Sequence, residues 1–322
     1  MKISIAMATY NGARFLKEQL ESFSTQTRLP DELIVCDDMS SDETVYVVSK
    51  FAKTALFDVV LVVNERNLGY TKNFEKAISL CAGDLIFISD QDDVWFANKL
   101  EHIEKIFIND PSVLVVLNDQ EITDHSLNPS GLTIFSNTFS LGFGKEWLSA
   151  GACTAFRSTL VDIITPFPES NIPYDGWIHK VAQALDFRVV ESKVLQYYRL
   201  HESNTSKSLA SVLRRPNVFT AIRHFGLKST NHTWLMEINN SEYMMSRFAQ
   251  KEKVLNALNK SYLVKHVISF EKRRNEAIRK RIKLIDSNFV ERLFGVFDFY
   301  VKGNYRFFSG WKSALKDVLR ST

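Results

Sequence analysis

The sequence predicts an α/β fold: a Rossmann-like, mainly parallel sheet flanked by helices, followed by a smaller C-terminal helical region. Three observations carry this. Short apolar runs of β-type residues alternate with stretches of helical spacing, the pattern of a parallel sheet wound by right-handed crossovers. Successive runs end in Thr9-Tyr10-Asn11, Asp37-Asp38 and Asp90-Gln91-Asp92-Asp93. Those ends gather on the sheet edge where open α/β sheets hold ligands. Charge is also split along the chain. Residues 1–210 carry 18 Lys+Arg against 28 Asp+Glu, a balance of −10, whereas residues 211–322 carry 22 against 9, a balance of +13.

The elements follow in order. Residues 3–8 form a first strand, stopped by Asn11-Gly12, a turn pair. Phe15, Leu16, Leu20 and Phe23 repeat with helical spacing, and Pro30 closes the connection. Residues 33–36 form a second strand. Ser40 and Glu43 have the spacing of a capping box and open a helix through Val47, Val48 and Phe51. Residues 59–63 are a third strand, and Phe74, Ala77, Ile78 and Cys81 mark the next helix. The fourth strand, residues 85–89, is an uninterrupted apolar run of the kind buried on both faces. Leu100, Ile103 and Phe107 mark a helix after it, and residues 113–117 a fifth strand.

The 322 residues, 45% hydrophobic and 24% charged, have the composition of a soluble globular protein. Cys36, Cys81 and Cys153 are few and far apart, which fits a reducing cytoplasm and neither a disulfide framework nor a metal cluster. The N-terminal residues lack the apolar stretch of a signal peptide, and no window reaches a membrane span of about 18 apolar residues. A GxGxxG after the first strand is missing, as is any GxxxxGK[ST]. Dinucleotide oxidoreductases and P-loop phosphotransferases are thereby disfavoured.

Three carboxylates within four residues cannot be buried without partners. In extended chain, Asp90 and Asp92 point to one side. Two hard oxygen ligands there suit Mg²⁺ or Mn²⁺ bridging to a substrate phosphate. The competing reading is a solvated acidic turn.

Four segments in order, SIAMATYNG (residues 4–12), IVCDDMSSDET (34–44), NLG (67–69) and ISDQDDVW (88–95), resemble the inverting family 2 glycosyltransferases with a GT-A fold. A thinner likeness continues through GACTAF (151–156), YDGWI (174–178) and YRLHESN (198–204) to that family's bacterial polysaccharide branch. DQDDVW and the YR-x-H segment are most like enzymes described as rhamnosyltransferases. The resemblance implies a nucleotide-sugar donor, dTDP-rhamnose ahead of UDP-hexoses. It also implies a glycan or lipid-linked acceptor and Mg²⁺ or Mn²⁺ as cofactor.

By that resemblance Thr9, Tyr10 and Asn11 line the nucleotide pocket and Asp38 contacts base or ribose. Asn67 and Lys72 sit near the same edge, where an amide and a cation suit a diphosphate; the competing reading of Lys72 is a solvent-exposed lysine. Asp90 with Gln91 faces the ribose, and Asp92 of the DxD element binds the metal, with Asp93 as the alternative. His201 aligns with a histidine that completes the metal or diphosphate site, and Arg199 pairs with the diphosphate or a nearby acid. Gly151, Ala152 and Cys153 are small residues that allow close backbone approach, which suits the acceptor side of a site; tight core packing explains them equally well. Trp177 is placed on the acceptor side as a wall for a sugar ring. Asp175 is the catalytic base. Its competing role is N-cap of a helix over residues 176–185.

Residues 206–216 read as a boundary, giving a catalytic domain over 1–207 and a basic, aromatic-rich helical domain over 208–322. Residues 272–283 are strongly basic, and residues 294–311 hold 8 aromatics in 18 positions. Basic charge beside aromatic helix reads as an interfacial membrane contact, placing the protein in the cytoplasm at the inner membrane face. The alternative is a helical domain with an aromatic core. A non-catalytic nucleotide-sugar module with a nucleic-acid- or protein-binding tail is a second function class, but no nucleic-acid motif is present. A sugar nucleotidylyltransferase, the third class, is disfavoured by the missing glycine-rich N-terminal loop.

Overall fold

A computed structural model describes all residues except 170–171, 205–207, 226–230 and 321–322. The chain divides into two compact units. The first comprises residues 1–167 and 172–221, the second residues 168–171 and 222–322. The boundary expected at 207–208 begins on residues outside those described.

The first unit is built on one nine-stranded sheet: β1 (Ile3–Thr9), β2 (Glu32–Asp37), β3 (Asp58–Val63), β4 (Leu85–Ser89), β5 (Val94–Trp95), β6 (Val115–Thr123), β7 (Pro129–Thr133), β8 (Thr154–Arg157) and β9 (Arg188–Arg199). The order is β3-β2-β1-β4-β8-β6-β9-β5, with β7 on β6. The β3-β2-β1-β4 half is parallel throughout, in the register Ala6↔Ile34 and Ala6↔Ile88. β8 then runs antiparallel between β4 and β6, while β9 returns parallel to β6. The fifth expected strand is thus β6, and the two-residue β5 lies before it in sequence.

The parallel half is apolar on both sides because helices cover both faces. Ile3, Ile5 and Met7 of β1 and Leu85 and Phe87 of β4 pack with Leu16, Leu20 and Phe23 of α1 (Ala13–Ser24) and Leu100, Ile103 and Phe107 of α4 (Lys99–Asn109). α2 (Thr44–Ala52) adds Val48 to this core. α3 (Tyr70–Leu80) packs on β1 and β2 and buries Phe74, Ala77 and Ile78. α5 (Ile134–Ser140), α6 (Val161–Ile164) and α7 (Tyr174–Ala184) complete the unit; α8 (Val218–Phe225) lies at the division between the units.

Two local expectations are corrected. No capping box forms at Ser40–Glu43: the N-cap of α2 is Glu43, without a side-chain cap. The Ser40 hydroxyl instead donates to Asp37 (2.6 Å) and accepts the Asn11 amide (2.8 Å). Asp175 is not a cap either. α7 begins one residue earlier, at Tyr174 behind Pro173, so Asp175 lies inside its first turn.

The second unit is helical: α9 (Asn231–Gln250), α10 (Glu252–Ala257), α11 (Ser261–Ile285), α12 (Phe289–Val301) and α13 (Trp311–Leu319). Ala277 of α11, Val296 and Phe299 of α12, and Tyr305 form its aromatic core, with Ala314 and Val318 of α13 packed against it. A buried charge cluster lies in the same unit. The fully buried Asp317 carboxylate accepts from Arg281 Nε (2.6 Å), a second Arg281 nitrogen (2.9 Å) and the Tyr305 hydroxyl (2.9 Å). Arg281 also stacks on Trp234 and Phe308. Removing one partner of such a group leaves the other charge buried alone, at about 3–5 kcal/mol. Asp317→Ala is therefore expected to weaken hydrogen-exchange protection of α11 and α13 by that amount. Protection of β1–β4 should stay unchanged.

Candidate active site

The polar groups at the ends of β1, β2 and β4 are tied to one another. The Thr9 hydroxyl donates to Asp37 (2.8 Å). Gln91 reaches back to Tyr10 twice: its carbonyl oxygen accepts the Tyr10 amide (2.9 Å), and its amide donates to the Tyr10 carbonyl (3.1 Å). A Cβ on Gly12 would lie 2.2 Å from the Gln91 side-chain oxygen, so this clasp needs glycine there. Asn11 adopts φ 47°, a left-handed conformation that Asn tolerates. Its side chain accepts from the Ser41 amide (2.8 Å).

Asp38 is buried, and three donors already hold its carboxylate: the Asn64 amide (2.8 Å), Leu68 N–H (2.7 Å) and Gly69 N–H (2.8 Å). Asn67 adds a bond to the Asp38 carbonyl (3.2 Å). These two residues fix the loop entering α3, so most of Asp38's acceptor capacity is spent inside the protein. Lys72 pairs with Glu75 (3.0 Å) and is half-exposed. Asn67 and Lys72 line a cleft of about 740 Å³ with Arg66, Lys76, Thr165 and Pro166. None of Asp90, Asp92 and Asp175 lines it.

The acidic turn after β4 sends neighbouring carboxylates in opposite directions. Asp93 is fully buried and accepts from the Gln196 side-chain amide (2.9 Å). Burial pushes its carboxyl well above the usual range, with Asp92 and Asp90 adding to the effect. Behind it the buried Lys99 donates to the Ala152 carbonyl (2.8 Å) and to Gln196, over the Trp95 ring. Burial lowers the Lys99 ammonium to about 8.

Asp92, partly accessible, instead meets His201: its Oδ2 lies 2.8 Å from Nε2. The Asp92 carbonyl accepts from Arg199 Nε (2.9 Å), and the same guanidinium pairs with Glu18 and stacks on Phe15. Of the two alternatives sequence reasoning leaves at 92–93, Asp93 is turned inward. Among the described residues no group of three or more His, Cys, Asp and Glu side chains could hold a metal. Asp92 and His201 offer two donors, a set that suits Mg²⁺ or Mn²⁺ when substrate oxygens supply the rest.

Asp90 connects this pair to Asp175. Burial, then the charges of Asp92 and Asp175, push its carboxyl up to about 7. Asp175 is half-buried; burial raises its carboxyl above the ordinary carboxylate range, and the Gly176 and Gly151 amides pull it partly back. Tyr174 beside it is buried against Phe74 and Tyr70. A Cβ on Gly151 would lie 1.9 Å from the Tyr174 hydroxyl, so the close approach that Gly151 permits is to that ring.

The acceptor-side assignments need correction. Trp177 is fully buried and donates from Nε1 to the Ile164 carbonyl (2.8 Å), so it packs the core and cannot wall a sugar. The side chains of Ala152 and Cys153 are buried as well. Sequence reasoning also missed Lys99 and Gln196. A lysine in the first turn of a helix opposes the macrodipole, which signals a local partner. Gln196 offers less, a single amide within the long strand β9.

The family model described as "Glycosyl transferase family 2" matches residues 4–164, half of the chain. The uncharacterized glycosyltransferase alr2836 of Nostoc sp. is 27% identical over 221 residues, 66% of this chain and 68% of that protein. The Escherichia coli UDP-Glc:alpha-D-GlcNAc-diphosphoundecaprenol beta-1,3-glucosyltransferase WfgD is 31% identical over 147 residues, 44% of this chain and 57% of its own. The Shigella flexneri dTDP-rhamnosyl transferase RfbG is 34% identical over 101 residues, 30% of this chain and 35% of its own. These two matches span little more than half, and about a third, of the relatives concerned. Among solved structures, Staphylococcus aureus TarS 1–349 in complex with UDP-GlcNAc aligns with TM-score 0.56 at 16% identity, covering 99% of this chain and 88% of that one. That likeness is one of fold, a GT-A-like sheet followed by a helical region. On the match over residues 4–164, the chain belongs to glycosyl transferase family 2.

Proposed function

We propose that this glycosyltransferase moves a sugar, with inversion, from a nucleoside diphosphate donor to a hydroxyl of a glycan or lipid-linked glycan in bacterial surface polysaccharide synthesis. One observation carries the reading. Asp92 and His201, 109 positions apart, meet at 2.8 Å beside an Asp90 that feels the charge of Asp175. A donor-side pair and an acceptor-side carboxylate thus share one neighbourhood.

Tyr10, half exposed, and the Gln91 clasp form the floor under the nucleotide, while Asp38 and Asn67 hold the loop beside it. Asp92 and His201 would hold the divalent cation. When bound, the cation neutralises charge developing on the departing diphosphate. No protein acid is then required on the leaving group. On the opposite face, Asp175 orients the acceptor hydroxyl and takes its proton as the new bond to the anomeric carbon forms and the bond to the diphosphate breaks. The transition state has oxocarbenium character, and one base completes the proton balance.

Asp175→Asn keeps the shape of α7's first turn and removes the base. Transfer is expected to fall by about 10²–10⁴-fold, with thermal stability near wild type. A folded variant with normal transfer overturns the assignment. Because the Asp175 carboxyl is raised by burial, it gains its proton at a higher pH than a free carboxylate. The wild-type acidic limb should therefore lie above the range of an ordinary Asp, and residual transfer in the Asn variant should lack it.

Gly151→Ala forces the Tyr174 ring to move and is expected to cost about 1–3 kcal/mol of stability and to lower transfer. Adding Tyr174→Phe removes the clashing hydroxyl and should restore part of both. On the donor, the named activities of WfgD and RfbG both use pyrimidine nucleotides. In a turnover screen dTDP-rhamnose is expected ahead of UDP-glucose. Preference for a GDP-sugar contradicts the pyrimidine assignment, and turnover of UDP-sugars alone contradicts the rhamnosyl one.

A further inference from the structure

The second unit keeps an unusual amount of apolar surface in water. α12 buries Val296 and Phe299 toward its own unit, yet Phe294, Phe297 and Val301 on its other side are 70%, 69% and 67% exposed. On α13, Trp311, Leu315 and Leu319 follow at four-residue spacing and are 62%, 51% and 59% exposed. Residues so spaced share one helix face. The two helices meet through Val296, Phe299, Ala314 and Val318, so both stripes are left over after packing. Exposed apolar surface on this scale marks a protein or membrane contact.

The composition of the stripes and their charged surroundings choose between these. Phe294, Phe297 and Trp311 lie in these stripes, and aromatic rings at a membrane surface favour the headgroup level. Arg306 and Lys312 are exposed between and on the same helices, whereas Lys302 pairs with Asp298 (2.8 Å) and Glu291 is exposed on α12. The unpaired positive charge therefore lies at the Arg306–Lys312 end of the patch; a two-fold contact there would oppose like charges, whereas an anionic lipid surface complements them. α12 is about 20 Å long at 1.5 Å per residue, and among the described residues no helix is long and apolar enough to cross a membrane. A helix of this kind lies in the interface.

We infer that the outer faces of α12 and α13 seat this protein on an anionic membrane surface. The basic run at 272–283 contributes less than its sequence implies: Arg281 is buried on Asp317, Arg274 pairs with Glu237 and Arg279 with Glu242. Apolar insertion by α12 and α13 leads, and charge assists. The inference does not depend on the assignment of catalytic residues, although it places the enzyme where a lipid-linked acceptor would be met.

The test is co-sedimentation of the full chain with phosphatidylglycerol vesicles and with phosphatidylcholine vesicles, at low and high salt. Wild type should bind the anionic vesicles and lose affinity as salt rises. Phe294→Ser/Phe297→Ser should bind at least about tenfold more weakly. It should keep the wild-type melting temperature and the wild-type rate of donor hydrolysis in solution. A second variant, Arg306→Gln/Lys312→Gln, should lose mainly the salt-sensitive part. Absence of wild-type binding at low salt overturns the proposal, as does unchanged binding by the Phe variant. A wild-type dimer that becomes monomeric in the Phe variant without any vesicle binding overturns it in favour of self-association. Failure of donor hydrolysis in wild type and variant alike would count against the proposed reaction and leave the vesicle result standing.

Discussion

The site depends on one constraint: the turn after β4 must place two adjacent carboxylates on opposite sides of the chain. In the bend between β4 and β5, Asp92 faces the site and Asp93 the core. A buried carboxylate needs partners. Gln196 supplies a hydrogen bond to Asp93 and links it to the buried Lys99. Gln196 also bonds Gln120 on β6 (2.8 Å), so the network binds the acidic turn to strands on the far half of the sheet. Arg199 clamps the same turn from outside through the Asp92 carbonyl. The turn is thereby held from both sides before any ligand arrives, as a site needs if it is to act without reorganisation.

The same logic explains why the two halves of the sheet differ. The parallel half, β3-β2-β1-β4, brings the ends of β1, β2 and β4 to one edge, where the proposed donor side lies. The mixed half, with β8 running antiparallel between β4 and β6, brings in Gly151 and the network around Gln196. Asp175 follows at the first turn of α7, fixed by the contact of Gly151 with Tyr174.

Legibility in the sequence followed uninterrupted apolar runs: β1, β2 and β4 are buried and β3 is partly exposed, but each is an apolar run bounded by turn residues, so all four read clearly. β9 is 12 residues long but half-exposed at its start and interrupted by Glu191, Lys193 and Gln196, and it gave no such signal. At the site, the acidic turn stood out because unpaired carboxylates are costly to bury. Asp92 and His201 were expected to act together, and the structure brings them into contact. Trp177 was misread because a tryptophan near a candidate base looks like a sugar platform, although a buried indole with a carbonyl partner serves packing equally well. The Ser40–Glu43 spacing misled for a related reason. A cap needs a free hydroxyl, and the Ser40 hydroxyl is committed to Asp37. Lys99 left one weak signal, a cation in the first turn of α4; its partners Ala152 and Gln196 are far away in sequence and are brought to it only by the fold.

The central claim is that Asp92 and His201 join metal and donor diphosphate at one place. Calorimetric titration of UDP and dTDP, with and without Mn²⁺, tests it most directly because it reads binding and not turnover. In wild type, Mn²⁺ should tighten nucleotide binding by about 5–150-fold, the usual range of coupling between two ligands. That increment should vanish in Asp92→Ala and in His201→Ala, while their metal-free nucleotide affinity stays near wild type. Equal wild-type affinity with and without Mn²⁺, or an undiminished increment in both variants, would contradict the account.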